Sequence, residues 1–378
     1  MNLQPYLKLM SEQQASDMYF TTGAPVSVRI DGSMRPVGKS MLNPGMTKKL
    51  AYDLLSPAQI KDFEKNLELN LGVSYTDLGR FRINIYMQRG EVSMVIRYIK
   101  ADVPSIDELG LPDVYKSMIM RKKGLVLVVG ATGMGKSTSL ASMLDHRNMT
   151  ESGHILTIED PIEFMFRHKK CIVGQREVGL DTLSFDNALR EAMREAPDVI
   201  MIGEARDRDT MESALRYADT GHLCLTTLHA TNADQTLDRL LNFFPSDAHN
   251  QILMDLSLNL NCILAQRLVK TDEGGRVAAV EVLVNTPYVS KLIRDGNFNE
   301  IKEIMSKGNE SGMMTFDQSL FELFKSGKID LKTALANADS SSDLEWKINF
   351  GGGSKELEGK AEKHEPLEFP SSPADLKL

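Results

Sequence analysis

Four apolar runs without alternation constrain this chain more than any other feature: residues 125–129 (LVLVV), 154–158 (HILTI), 199–202 (VIMI) and 222–228 (HLCLTTL). A strand that faces water on one side alternates apolar and polar residues, because successive side chains point to opposite faces. Runs that do not alternate mark strands buried on both faces, and the intervening stretches are long enough for helices. The second half of the chain is therefore expected to be α/β, with a mainly parallel sheet covered by helices.

Directly after the first run stands Gly130-Ala131-Thr132-Gly133-Met134-Gly135-Lys136-Ser137, followed by Thr138 and a helical pattern. This is the spacing GxxxxGK[ST] in the strand-to-helix context it requires. Glycines let such a loop wrap phosphates, so that backbone N–H groups and the helix N-terminus face the negative charge. Lys136 is expected to reach the β- and γ-phosphates of ATP, and the Ser137 hydroxyl to ligate Mg2+.

Phosphate binding alone is not hydrolysis, which needs carboxylates at the ends of neighbouring strands. Two sets are present, Glu159-Asp160-Pro161-Ile162-Glu163 after residues 154–158, and Gly203-Glu204-Ala205-Arg206-Asp207 after residues 199–202. A strand-end acid holds the metal or its waters while a second polarises the attacking water. Glu204 is assigned to the metal and Glu163 to the water. His222 and His229 bracket a further buried strand, and are read as sensors of the γ-phosphate.

The first hundred residues have another character. Asp31-Gly32 sits between two alternating runs, the signal of a tight hairpin, and residues 46–69 read as helical. Residues 79–99 form two alternating strands around Gln88-Arg89-Gly90, with Phe81, Ile83 and Ile85 on one face and Arg80, Arg82 and Asn84 on the other. This is a small α+β unit with a basic face. Residues 101–113, with two prolines and a glycine among acids, read as a linker and hinge. Residues 114–350 then form the larger unit, whose part beyond Ala230 is expected to be mainly helical, including Ile252, Leu253, Leu256, Leu260, Ile263 and Leu264 at helical spacing. Residues 351–378 contain too few large apolar groups for a core and read as a disordered tail.

Composition removes several function classes. The 44 Lys and Arg against 52 Asp and Glu leave a formal charge of −8, which repels a phosphate backbone, so no nucleic-acid partner is expected. Cys171, Cys224 and Cys262 lack metal or disulfide spacing and suit a reducing cytoplasm. No apolar run approaches the ~20 residues that span a bilayer, and residues 1–20 lack the basic leader and apolar stretch of a secretory signal, so no export is expected. The 21 methionines are read as core filler.

In this order, GATGMGKST, ILTIEDPIEF, VIMIGEARD and GHLCLTTLHA resemble the Walker A, Asp box, Walker B and His box of the secretion ATPase superfamily. The absence of a four-cysteine zinc motif, together with the first hundred residues, is similar to the pilus retraction branch, the PilT/PilU family. MMTFDQSLFELFKSGKI resembles its PilU-type accessory members. The resemblance implies a PAS-like amino-terminal domain (1–100), a RecA-like ATPase domain (114–350) with a helical carboxy-terminal part, and a homo-hexameric ring. It implies ATP and Mg2+ binding by residues 130–138, catalysis by Glu163, a metal role for Glu204 and nucleotide sensing by His222 and His229. Arginines of the amino-terminal domain, Arg80 and Arg97, are expected to approach the γ-phosphate. Residues 288–295, YVSKLIRD, keep only part of the AIRNLIRE stretch of PilT members, which implies a motor that assists a PilT-like partner. The implied track is an inner-membrane platform protein, met at the cytoplasmic face of that membrane. The alternative reading is an ATP-binding adaptor with negligible hydrolysis.

Overall fold

A computed structural model describes residues 3–30, 32–307 and 312–350. The expected tail and Asp31 lie outside the described residues. The first sheet contains six antiparallel strands, β1 (Asp17–Phe20), β2 (Pro25–Ile30), β3 (Ser33–Met41), β4 (Glu68–Tyr75), β5 (Gly79–Gln88) and β6 (Glu91–Ile99), in the order β3-β2-β1-β6-β5-β4. Ile30 pairs with Ser33 across the hairpin, and Gly32 takes the positive φ of 77° that so tight a turn requires. Phe81, Ile83 and Ile85 are fully buried opposite Tyr98, Ile96 and Met94. The alternation of β5 thus aims its apolar side at one core and leaves Arg80 and Arg82 on the other face.

The single helix expected over 46–69 is instead two helices, Met46–Tyr52 and Pro57–Asn66, followed by β4. Ser56 and Gln59 form a reciprocal cap, with Gln59 N donating to Ser56 Oγ at 3.3 Å and Ser56 N donating to Gln59 Oε1 at 2.9 Å. Pro57, lacking an N–H, starts a helix more readily than it continues one.

The second sheet contains β7 (Gly124–Val129), β8 (Gly153–Glu159), β9 (Cys171–Glu177), β10 (Val199–Ile202), β11 (Leu223–Leu228), β12 (Leu260–Lys270) and β13 (Arg276–Val284), in the order β13-β12-β7-β11-β10-β8-β9. All neighbours are parallel except β12 and β13. Leu125, Leu127 and Val129 belong to one apolar cluster and Val126 and Val128 to another, so β7 is buried on both faces, as its lack of alternation predicts. Residues 260–270 correct the helical reading: the helix His249–Asn259 ends before them and they pair with both β7 and β13. Cys262, Ile263, Leu264 and Ala265 are all fully buried, which a central strand achieves as readily as a helix.

Residues 101–113 lie against the helical cover of the second sheet. Ile106 and Leu111 are buried in the cluster that holds Val126 and Leu140, and Ser142 Oγ donates to Pro104 O at 2.6 Å. Beyond β13 the chain is helical, with Pro287–Arg294, Ile301–Lys307, Phe316–Lys325, Leu331–Asn337 and Ser341–Phe350. Arg267 ties this region to β12, stacking 3.8 Å from the Phe316 ring centroid and pairing with Asp339 at 2.7 Å.

One buried carboxylate makes stability depend on pH. Glu281 of β13 is 1% exposed, and its Oε1 accepts from Ala233 N (2.8 Å), in the first turn of the helix Ala233–Leu241. Burial, with help from Asp339 and Asp234, pushes its pKa up to about 7 from the ordinary 4.5. Because the folded value lies above the unfolded one, the stabilisation is fully present below pH 4.5 and is lost as pH rises through about 7. Thermal unfolding should therefore occur at lower temperature at pH 8 than at pH 5.5, and Glu281→Gln should reduce that difference while still accepting from Ala233 N.

Candidate active site

Parallel strands present their carboxyl ends along one edge, where open α/β sheets bind ligands. The segments following β7, β8, β10 and β11 meet there and, with the amino-terminal sheet, line a cavity of about 860 Å3. Thr132, Gly133, Gly135, Lys136, Ser137 and Thr138 line it from the β7 side. Gly133 and Gly135 hold φ of 78° and 82°, conformations that L side chains rarely adopt. Gly130 has φ 156°, and a Cβ there would lie 2.7 Å from the backbone oxygen of Gln266.

Gly130, Ala131 and Met134 shape the loop without lining the cavity. Lys136 Nζ donates to Gly130 O at 2.8 Å and Ala131 O at 3.1 Å, and Leu268 N donates to Met134 Sδ at 3.2 Å. Burial lowers the Lys136 pKa, and the charge of Glu204 acts in the opposite direction. Among the described residues no side chain caps the helix Lys136–Thr150, so its first amides and the Lys136 cation are available to an anion.

The acids come from two strand ends. Glu204 is held on both oxygens, by Arg206 Nε at 2.8 Å and His229 Nε2 at 3.0 Å. Thr227 Oγ1 donates to Gly203 O at 2.8 Å, which locks the ends of β10 and β11 together. Glu163 lines the cavity from the loop after β8. Glu159, the last residue of β8, also lines it while remaining largely buried, and burial pushes its pKa up to about 7 against the hydrogen bonds from Thr157 and Gln175.

The two arginines singled out in the sequence part company here. Arg97 lines the cavity, with Nε 2.8 Å from Asp17 Oδ1, and the Asp17 bond, partly offset by burial, raises its pKa with Glu163 adding to the effect. Arg80 is not among the lining residues and lies 4.0 Å from Glu177. The two histidines also separate: His229 lines the cavity, whereas His222 precedes β11 at its amino end, its Nδ1 beside Thr220 Oγ1 (3.2 Å) and Tyr217 O (3.3 Å). Arg206, Arg276 and Asp17 line the cavity without having been singled out for a role. Arg206, two residues after Glu204, was open to notice; Asp17 and Arg276 come from distant strands that no local pattern connects to the loop.

The donor set suits a hard cation. Ser137 and Glu204 are oxygen donors that line the same cavity, and among the described residues no group of three or more His, Cys, Asp or Glu could hold a metal by itself. Mg2+ needs only one or two protein oxygens when phosphates and water complete its shell.

A model of type II/IV secretion system proteins matches residues 2–274. The type IV pilus ATPase PilU of Pseudomonas aeruginosa is 49% identical over 94% of this chain and 93% of its own. The chain belongs to the type IV pilus retraction ATPases. PilT of the same organism, named a type IV pilus retraction ATPase, is 41% identical over 89% of this chain and 98% of its own. A crystal structure of the pilus retraction motor PilT with bound ADP superposes with a TM-score of 0.83 at 43% identity, covering 91% of this chain and 99% of that one. Among the described residues of this pilus retraction ATPase, no helix is long and apolar enough to cross a membrane.

Asp17 is 4% exposed and accepts from both Arg97 Nε and Ser16 Oγ (2.9 Å). It aims the guanidinium toward the cavity. Asp17→Asn should lower ATP turnover by about tenfold, or about 1.4 kcal/mol of transition-state stabilisation, with a smaller change in KM, as steady-state kinetics would show.

Proposed function

We propose that the chain is one subunit of a homo-hexameric ring that hydrolyses ATP with Mg2+ and assists type IV pilus retraction beside a PilT-like partner. The ring acts at the cytoplasmic face of the inner membrane on a platform protein embedded there. The observation that carries this reading is convergence: one cavity is lined by Lys136 and Ser137 from the β7 loop, Glu163 from the β8 loop, Glu204 and His229 from the next strand ends, and Arg97 from the other sheet.

The roles follow from chemistry. Lys136 and the first amides of its helix neutralise the phosphate oxygens. Ser137 and Glu204 would hold Mg2+, which would supply positive charge to neutralise the phosphate oxygens. Glu163 accepts the proton of the attacking water. His229, bonded to Glu204, registers whether that carboxylate is engaged. Arg97 reaches the developing charge from the amino-terminal sheet, so ATP is gripped by two bodies at once. A ligand that favours one arrangement of those bodies over another does mechanical work, with residues 101–113 as the hinge. His222, placed at the far end of β11, is proposed to sense the nucleotide only indirectly, through that strand.

The partial match at residues 288–295 supports the accessory role. That stretch lies on the helix Pro287–Arg294 and its cap Asp295, with Val289, Leu292 and Ile293 buried and Tyr288 half exposed. Retraction force measured in cells lacking this protein, the PilT-like partner or both tests the reading. Loss of retraction only under load in the first strain is expected. Unchanged retraction at every load would reject the motor role, and complete loss without load would reject the accessory one.

A further inference from the structure

Outside the convergence of catalytic groups, the two sheets meet at a second charged cluster, centred on Glu177 at the end of β9. Its side chain is 3% exposed, with Arg82 Nε 3.7 Å from Oε1 and Arg80 Nη2 4.0 Å from Oε2. The need for these contacts can be read from the register of the first sheet. Arg82 stands directly opposite Arg97, and Arg97 directly opposite Asp17. Like charges opposite each other repel unless each has its own carboxylate. Arg97 takes Asp17 at 2.8 Å, which leaves Arg82 to be balanced from elsewhere. Glu177, from the other sheet, supplies that charge.

The same carboxylate reaches the catalytic loop. Ile162 N donates to Glu177 Oε2 at 3.4 Å, one residue before Glu163. On the other side of Glu163, Met165 N donates to Lys100 O at 3.0 Å, continuing from the end of β6. Glu163 is thus suspended between two anchors, and the amino-terminal sheet bears on both. Gly72 of β4 leaves room at this junction, since a Cβ there would come 3.0 Å from Arg80 Nη2 and 3.4 Å from Leu180 Cδ1. Glu177 Oε1 has no hydrogen-bond partner among the described residues. A buried carboxylate held by ionic contacts of this length has room for a closer engagement as the sheets approach.

We propose that Glu177, with Arg80 and Arg82, is an interdomain latch that positions Glu163 for catalysis according to how the amino-terminal sheet is docked. Its catalytic part rests on the proposed ATP-hydrolysing function. Glu177 touches no substrate; it is a positioning residue, acting through the Ile162 amide.

Hydrogen exchange and ATP kinetics on the full chain test this with Glu177→Gln, Arg82→Gln and the double variant. Glutamine keeps the size and the acceptor of glutamate and removes its charge. Amide exchange across residues 160–166 should accelerate in each single variant, with the double variant no faster than the faster single one, because the pair acts as a unit. In Glu177→Gln, kcat should fall roughly tenfold with KM for ATP nearly unchanged, since a small misplacement of a reacting group is costly. Unchanged exchange at 160–166, or effects that simply add, would overturn the latch. Wild-type protein without ATP turnover would reject the functional reading instead, and the exchange measurement would still decide the latch.

Discussion

Lys136→Ala is expected to lower ATP turnover by roughly 10³-fold, about 4 kcal/mol, without lowering the unfolding temperature. Turnover is expected to fall because Lys136 is the cation that the β7 loop brings to the cavity, where it is proposed to meet the phosphates. It is 9% exposed, and its ammonium is bonded by two carbonyls, Gly130 O and Ala131 O. A preorganised donor in a partly dry cavity acts more strongly than one in water. Stability is spared for a related reason. Burial already disfavours the charged form of Lys136, so deleting it also removes a desolvation cost. ATP turnover and a melting curve on the same preparation check both halves, and a large loss of stability would show that the lysine chiefly holds the loop together.

Glu163→Gln should reduce turnover by roughly 10²–10⁴-fold, the range for loss of a general base, while leaving nucleotide affinity nearly intact. The separation is expected because Glu163 comes from the β8 loop, whereas the proposed phosphate-binding residues come from the β7 loop. Turnover measured beside equilibrium binding of ADP distinguishes the outcomes. Equal losses in both would place Glu163 in nucleotide binding, and no loss in either would transfer the base to another acid of the cavity, with Glu159 the next candidate.

Most of the site was legible before the structure because its signals are local. The loop 130–138 carries its chemistry in consecutive residues, and β7, β8, β10 and β11 announce themselves by burial on both faces. Where the reading failed, the deciding interaction is non-local. Ile263 and Leu264 continue a helical count begun at Ile252, yet they lie in β12, whose partners β7 and β13 are remote or later in the chain. The split at Pro57 is a local signal, a proline at the first helical position after a Ser cap. His222 and His229 bracket one strand, but six residues of strand separate its ends by roughly 20 Å, so only one of them reaches the cavity edge. Arg80 and Arg97 looked equivalent because both lie on basic strand positions. Which of them lines the cavity is decided by the docking of two sheets and by Asp17, neither visible in a local pattern.

The chain carries a formal charge of −8, yet Arg97, Lys100, Lys136, Arg206 and Arg276 line one cavity, a set that would suit a small polyanion. Of these, Arg97 and Arg206 are paired with carboxylates.

Phosphate release by purified wild type, Lys136→Ala and Glu204→Ala, measured with ATP and Mg2+, shows whether this cavity hydrolyses ATP. Steady turnover by the wild type and near-complete loss in both variants, all three remaining folded, is the expected result. Equal release by all three proteins, or none by the wild type, would contradict it.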